Sequence, residues 1–218
     1  MADNAYQEAL EKIEEAQQKN FRVLYLDGMN LRELPPEIGK LADLTDLWLS
    51  DNELTHLPPE IGDLTNLKEL DLYNNELAEF PTEITHLKQL TYLSLARNKL
   101  TSLPPEIWQL TNLTELYLHN NQLTVLPPEI KKLSNLKDLF LSRNQIRTIP
   151  PEIGKLTSLT KLKLNENQLE ELPEELTLLT NLKVLDLRDN QLDISKGILR
   201  QTERPLLALR SYFHENYQ

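Results

Sequence analysis

The chain has 218 residues, enough for one domain or one repeat array, and a formal net charge of −11. That charge repels phosphate backbones and anionic lipid, so neither nucleic acid nor a membrane is an expected partner. Without cysteine there is no disulfide framework, thiolate nucleophile or zinc–thiolate site; 49 leucines supply ample core, and no apolar run reaches the roughly 18 residues of a membrane helix.

At the N-terminus, Met1-Ala2-Asp3-Asn4 shows neither a basic n-region nor an apolar h-region. A cytoplasmic location is therefore expected, although a processed, secreted chain would read the same way. Residues 3–19 place Tyr6, Ala9, Leu10, Ile13 and Ala16 at helical spacing with charge opposite. This predicts an amphipathic helix, and residues 1–20 form an N-terminal cap. From Phe21 the motif LxxLxLxxNxLxxLPxEIxxLxx recurs every 23 residues without insertion, with starts at Phe21, Leu44, Leu67, Leu90, Leu113, Leu136, Leu159 and Leu182. The last copy breaks off after Asp193, and twelve of the 13 prolines fall at two motif positions.

Each copy reads physically. LxxLxL alternates like a short strand with leucines inward, and successive strands must be parallel because each copy advances the chain one step. The ninth position holds Asn52, Asn75, Asn98, Asn121, Asn144, Asn167 and Asn190, whose amides can satisfy backbone groups where the chain leaves the strand. Met29 stands there in the first copy, where no preceding copy needs bridging. The Pro-Glu phrase starts a helical turn on the opposite side. Phe21, Phe80, Ile146 and Ile149 replace leucine and are expected in the core. Trp108 takes the turn position of Gly39, Gly62 and Gly154, where covering a neighbouring turn is favoured over a second contact surface. Leu178 replaces the polar residues of the other copies (Lys40, Asp63, His86) and is expected to dock a C-terminal cap, residues 194–218. Pro205 opens the helix of that cap, with Leu206, Leu207, Leu209, Tyr212 and Phe213 as its apolar residues.

These residues carry a resemblance. Residues 21–193 resemble the leucine-rich-repeat family. The 23-residue unit and the phrase Leu57-Pro58-Pro59-Glu60-Ile61 are similar to bacterial leucine-rich-repeat proteins, plant intracellular Ras-group relatives and the repeat region of Roco proteins. The resemblance implies an α/β fold: a single curved solenoid with a concave parallel sheet of about eight strands, short turns or helices on the convex side, and helical caps at both ends. It also implies a non-enzymatic module for protein–protein interaction.

Function is expected on the outward strand positions that line the concave face. Position five carries Tyr25, Trp48, Asp71, Tyr117 and Phe140; position three carries Asp46, Glu69, Tyr92, Glu115 and Asp138; position seven carries Tyr73 and His119. Six of the 13 aromatics lie in these columns although the motif demands none. A contiguous exposed aromatic strip marks a binding surface, while aromatics also simply suit strands and stack along a ladder. Asp46, Glu69 and Asp71 gather acid in the second and third copies, and Arg143, Lys161, Lys163 and Arg188 make the C-terminal third more basic. Two readings stay open: a solvated surface with pairs such as Asp138–Lys161 and Lys163–Asp186, or a bipolar face whose acidic half prefers a basic segment of a partner.

No phosphate-binding glycine motif is present. His119, the only concave histidine, has Ser142 as ladder neighbour but no orienting partner. Asp46, Glu69 and Asp71 lack the glycine-bearing loop of a dedicated calcium site. No catalytic residue, cofactor or metal is expected. The sequon Asn112-Leu113-Thr114 is discounted because Leu113 is a core position. The expectation is a monomer that binds a protein or peptide, with the aromatics as anchors, His119 among them, and the acidic residues selecting charge. Carbohydrate or small-ligand recognition, or a structural or designed scaffold without a partner, are the alternatives.

Overall fold

The computed structural model describes residues 2–193 and 205–216. Helix α1 (Ala2–Lys19) leads into eight short strands: β1 (Val23–Tyr25), β2 (Asp46–Trp48), β3 (Glu69–Asp71), β4 (Tyr92–Ser94), β5 (Glu115–Tyr117), β6 (Asp138–Phe140), β7 (Lys161–Lys163) and β8 (Val184–Asp186). Helix α2 (Pro205–Asn216) follows. The strands form one open sheet in chain order, every pair parallel and offset by one repeat, as Leu47↔Leu70 and Leu116↔Leu139 show. Short 3₁₀ turns, from Pro36–Lys40 to Glu174–Leu178, make the opposite side. The solenoid expected from the repeat is the fold observed.

The motif explains each step. Leucines four and six of the copies are buried between sheet and turns, completely so at Leu70 and Leu72. At position eight every copy takes a left-handed φ: Gly28 at 64°, and Asp51, Asn74, Arg97, Asn120, Arg143, Glu166 and Asp189 between 52° and 57°. Glycine, asparagine and aspartate tolerate that backbone; arginine and glutamate are uncommon there. The second proline of the pair opens the 3₁₀ turn, whose buried Ile61 accepts a hydrogen bond from the Leu64 N–H.

The ninth-position asparagines bridge successive copies. The Asn52 Oδ1 accepts from the Met29 and Leu31 N–H groups, and its Nδ2 donates to the Leu26 and Leu49 carbonyls. The pattern repeats down the solenoid, so Met29, with no copy before it, needs no amide. Two further ladders escape the sequence reading. Asn66, Asn112, Asn135 and Asn181 donate to carbonyls one turn back, and Thr45, Thr91, Thr114 and Thr160 hydroxyls do the same at the start of the strands. The Asn112 amide is thus held by the Lys88 carbonyl, and Leu113 is buried, which agrees with setting the sequon aside.

The ends bring two corrections. Helix α1 buries Ala9, Ile13 and Ala16 as its spacing predicts, with Tyr6 and Leu10 half-buried. Phe21, expected in the core, is 41% exposed. No copy precedes it, its N–H closes onto the Ala16 carbonyl, and α1 takes the buried place, leaving the ring beneath the Lys19 ammonium. Phe80, Ile146 and Ile149 are buried as expected. Helix α2 packs on the turn Glu174–Leu178 and buries Leu209 and Tyr212, with Phe213 half-buried and Leu207 exposed. Leu178 itself is 51% exposed, pointing outward like Lys40 and His86 at the same position, so it does not bury itself under the helix. The Leu206 side chain and residues 194–204 lie outside the described residues.

The convex turns pack closely. A Cβ on Gly154 would stand 2.7 Å from the Glu175 carbonyl oxygen, and one on Gly39 would stand 2.9 Å from that of Glu60. Side chains at this position therefore face the next turn. Trp108 occupies it in the fourth copy and is only 1% exposed. It covers its neighbour and presents no second contact surface.

Candidate functional site

With leucines four and six inward, positions three, five and seven emerge on the concave side. Their rings touch in sequence. Tyr25 stacks on Trp48 with centroids 6.4 Å apart and planes at 14°, and Trp48 reaches over β3 to Tyr92 at 6.0 Å. Tyr92 meets Tyr117 at 5.4 Å, and Tyr117 meets Phe140 edge-on at 4.8 Å. Tyr73 joins through His119 at 6.4 Å, and His119 also lies beside Tyr117 and Phe140. All six aromatics therefore belong to one strip, and His119 is its seventh ring. Tyr25 is 63% exposed and the others are half-buried.

His119 lies in the strip without an orienting hydrogen bond at Nδ1, which is buried, and the Ser142 hydroxyl donates to Asn165 instead. Burial, then the positive charges of Arg97, Lys163 and Arg143, hold its pKa below the ordinary value, so the neutral ring is favoured.

The carboxylates divide. Asp138 is buried, accepting from the Lys161 ammonium at 2.7 Å and the Thr160 hydroxyl at 3.0 Å. The Tyr117 hydroxyl donates to Glu115 at 2.6 Å. Burial and that bond raise the Tyr117 pKa, while burial, then Asp71, pushes Tyr92 up to about 12. The expected Lys163–Asp186 pair does not form. Arg188, two residues further along the chain, reaches both Asp186 oxygens, and Lys163 lies over the Phe140 ring at 4.5 Å. Arg97 lies over Tyr73 at 5.4 Å. In the acidic half, burial and then Asp46 and Glu115 raise the Glu69 pKa. Asp71 is raised chiefly by burial, against hydrogen bonds from the Tyr73 N–H and Ser94 hydroxyl. Among the described residues no three His, Asp or Glu side chains are grouped to hold a metal ion, and no helix is long and apolar enough to cross a membrane.

The Asp71 shift has a testable sign. A carboxyl whose folded-state pKa is raised costs stability when ionised, and the cost disappears once it is protonated in both states. Asp71→Asn should therefore raise the urea midpoint at about pH 7, with the advantage fading towards about pH 3. A lower midpoint for the variant at neutral pH would mean that the hydrogen bonds to Asp71 outweigh its burial.

Family models described as leucine rich repeat match residues 19–77, 111–169 and 134–192, and one described as leucine-rich repeat region matches residues 60–139. The chain belongs to the leucine-rich-repeat family. Among solved structures it is similar to the leucine-rich-repeat protein LIC12759 of Leptospira interrogans, at 45% identity and TM-score 0.82, over 89% of this chain and 49% of that one. It is also similar to an internalin C2 of Listeria monocytogenes, at 25% identity and TM-score 0.78, over 89% of both chains. The plant peptide hormone receptor RGFR1, solved in complex with RGF2, matches at 32% identity and TM-score 0.67, over 73% of this chain and 27% of the receptor. The chain thus spans about half the Leptospira protein and about a quarter of the receptor. Among curated proteins none matches. Within this leucine-rich-repeat frame, the residue that sequence reasoning missed is Arg97. Its signal was partial: position eight is Gly28, Asp51, Asn74, Asn120 and Asp189 in five other copies, while Arg143 and Glu166 in the remaining two pair with each other.

Proposed function

We propose that this leucine-rich-repeat chain is a non-enzymatic interaction module that binds a peptide or protein across its concave face. The supporting observation is the continuous aromatic strip from Tyr25 to Phe140, with neighbouring ring centroids 4.8–6.4 Å apart along its main line. Rings of this kind bury large area at low conformational cost and dominate binding energies when a partner covers them. The receptor RGFR1, similar over part of its length, is solved in complex with RGF2, which supports a polypeptide as the class of partner.

A random dodecapeptide library selected on the immobilised chain tests the reading. The selected peptide should bind Tyr117→Ala/Phe140→Ala at least about 30-fold more weakly, since anchors of this type contribute about 1–2 kcal/mol each. Circular dichroism establishes that the variant is folded. Unchanged affinity, by calorimetry, would place binding elsewhere.

A further inference from the structure

The charges on the concave face are sorted by whether they are paired. Asp138, Glu166 and Asp186 each meet a cation, from Lys161, Arg143 and Arg188 respectively. Asp46, Glu69 and Asp71, on β2 and β3, meet none among the described residues; Asp46 and Asp71 have only uncharged donors, Thr45 for one and Tyr73 and Ser94 for the other. Arg97 and Lys163 likewise meet no carboxylate among the described residues, and each lies over an aromatic ring. Local pairing therefore accounts for part of the charge and leaves an acidic pole on β2 and β3 and a cationic pole at Lys163 over Phe140, with Arg97 lying over Tyr73 of the third repeat. Arg97 takes the left-handed φ of position eight in every repeat, as do Arg143 and Glu166, but those two pair with each other and Arg97 has no such partner among the described residues.

We infer that the concave face takes an extended polypeptide segment in one order of charge, with a lysine or arginine over Asp46, Glu69 and Asp71 and an aspartate or glutamate against Lys163. This rests on the proposed peptide-binding role of the face and specifies the partner's chemistry. Burial and crowding already hold the Glu69 and Asp71 carboxyls above their ordinary range, and a cation seated there relieves that cost. The acidic pole and the Lys163 ammonium over Phe140 of β6 lie about three to four strand spacings apart, roughly 14–19 Å, which an extended segment covers in about four to six residues. A segment of the opposite charge order would set like charges against both poles.

The test uses the same dodecapeptide library on the full chain, on Asp46→Lys/Glu69→Lys and on Lys163→Glu. Wild type should enrich peptides with a basic and an acidic residue about four to six positions apart. A peptide selected on wild type should lose at least about tenfold affinity to either variant and regain it when its matching charge is reversed. The milder Glu69→Gln and Lys163→Gln variants should show the same direction where a charge reversal perturbs folding. Peptides without charge order, or affinities unmoved by the reversals, overturn the inference. If such peptides still weaken on Tyr117→Ala/Phe140→Ala, the concave-face function survives alone. If they ignore both sets of variants, or no peptide is enriched, both readings fall.

Discussion

Asn121→Leu is expected to cost about 2–6 kcal/mol of stability, read as a large fall in the urea midpoint. Asn121 is buried, its Oδ1 accepts the Leu100 N–H at 3.0 Å, and its Nδ2 donates to the Leu95 and Leu118 carbonyls at 2.9 and 3.1 Å. Leucine has a similar volume but leaves the Leu100 N–H unpaired, at about 1–3 kcal/mol, and removes one of the two amide donors of each carbonyl, which keep Asn98 and Asn144, at about 0.5–1.5 kcal/mol per bond. The loss falls on the junction between the fourth and fifth repeats, and in a solenoid that junction is one of the nearest-neighbour terms on which cooperativity rests. Asn121→Asp sharpens the point. It keeps the acceptor for Leu100 but sets a carboxylate against two carbonyls. Its pKa should be raised, and its stability should recover as pH falls and a donor is restored. A cost below about 1 kcal/mol for Asn121→Leu would show that water replaces the amide freely.

The ninth position was legible in the sequence because the repeat isolates it: a polar residue recurs among apolar ones, and only an amide offers donors and acceptor together. The inward leucines were legible for the same reason, since a period of 23 residues allows no other stacking. What periodicity could not encode is the choice between near neighbours. Lys163 and Arg188 both lie within reach of Asp186 by register, and side-chain geometry gives it to Arg188, since the planar guanidinium matches both carboxylate oxygens. Phe21 and Leu178 misled because each sits at a boundary, where the periodic position is kept and the neighbour that would bury it is different. The aromatic columns were assigned correctly to one face. That Trp48 reaches Tyr92 across β3, and that His119 joins the strip, depends on ring size and orientation, which spacing does not carry.

The two tryptophans separate folding from binding. Trp108→Ala is expected to lose about 3–5 kcal/mol, because removing a fully buried indole leaves a cavity that the surrounding turns fill only in part. The folded fraction should nevertheless bind a selected peptide with unchanged affinity. The concave spacing does not hang on the convex side: the Leu95 N–H donates to Tyr117 and the Leu118 N–H donates to Phe140, each at 2.8 Å, so the strands around the strip are fixed by their own backbone ladder. Trp48→Ala should show the reverse. Its half-buried ring contributes about 1–2 kcal/mol through its contacts with Tyr25 and Tyr92, while peptide affinity should fall at least about tenfold. Urea unfolding and calorimetry on both variants decide the matter. If Trp108→Ala weakened binding by folded protein, the turns would be setting the curvature of the face, and the convex gap filled by the indole would belong to the binding apparatus as well as to the core.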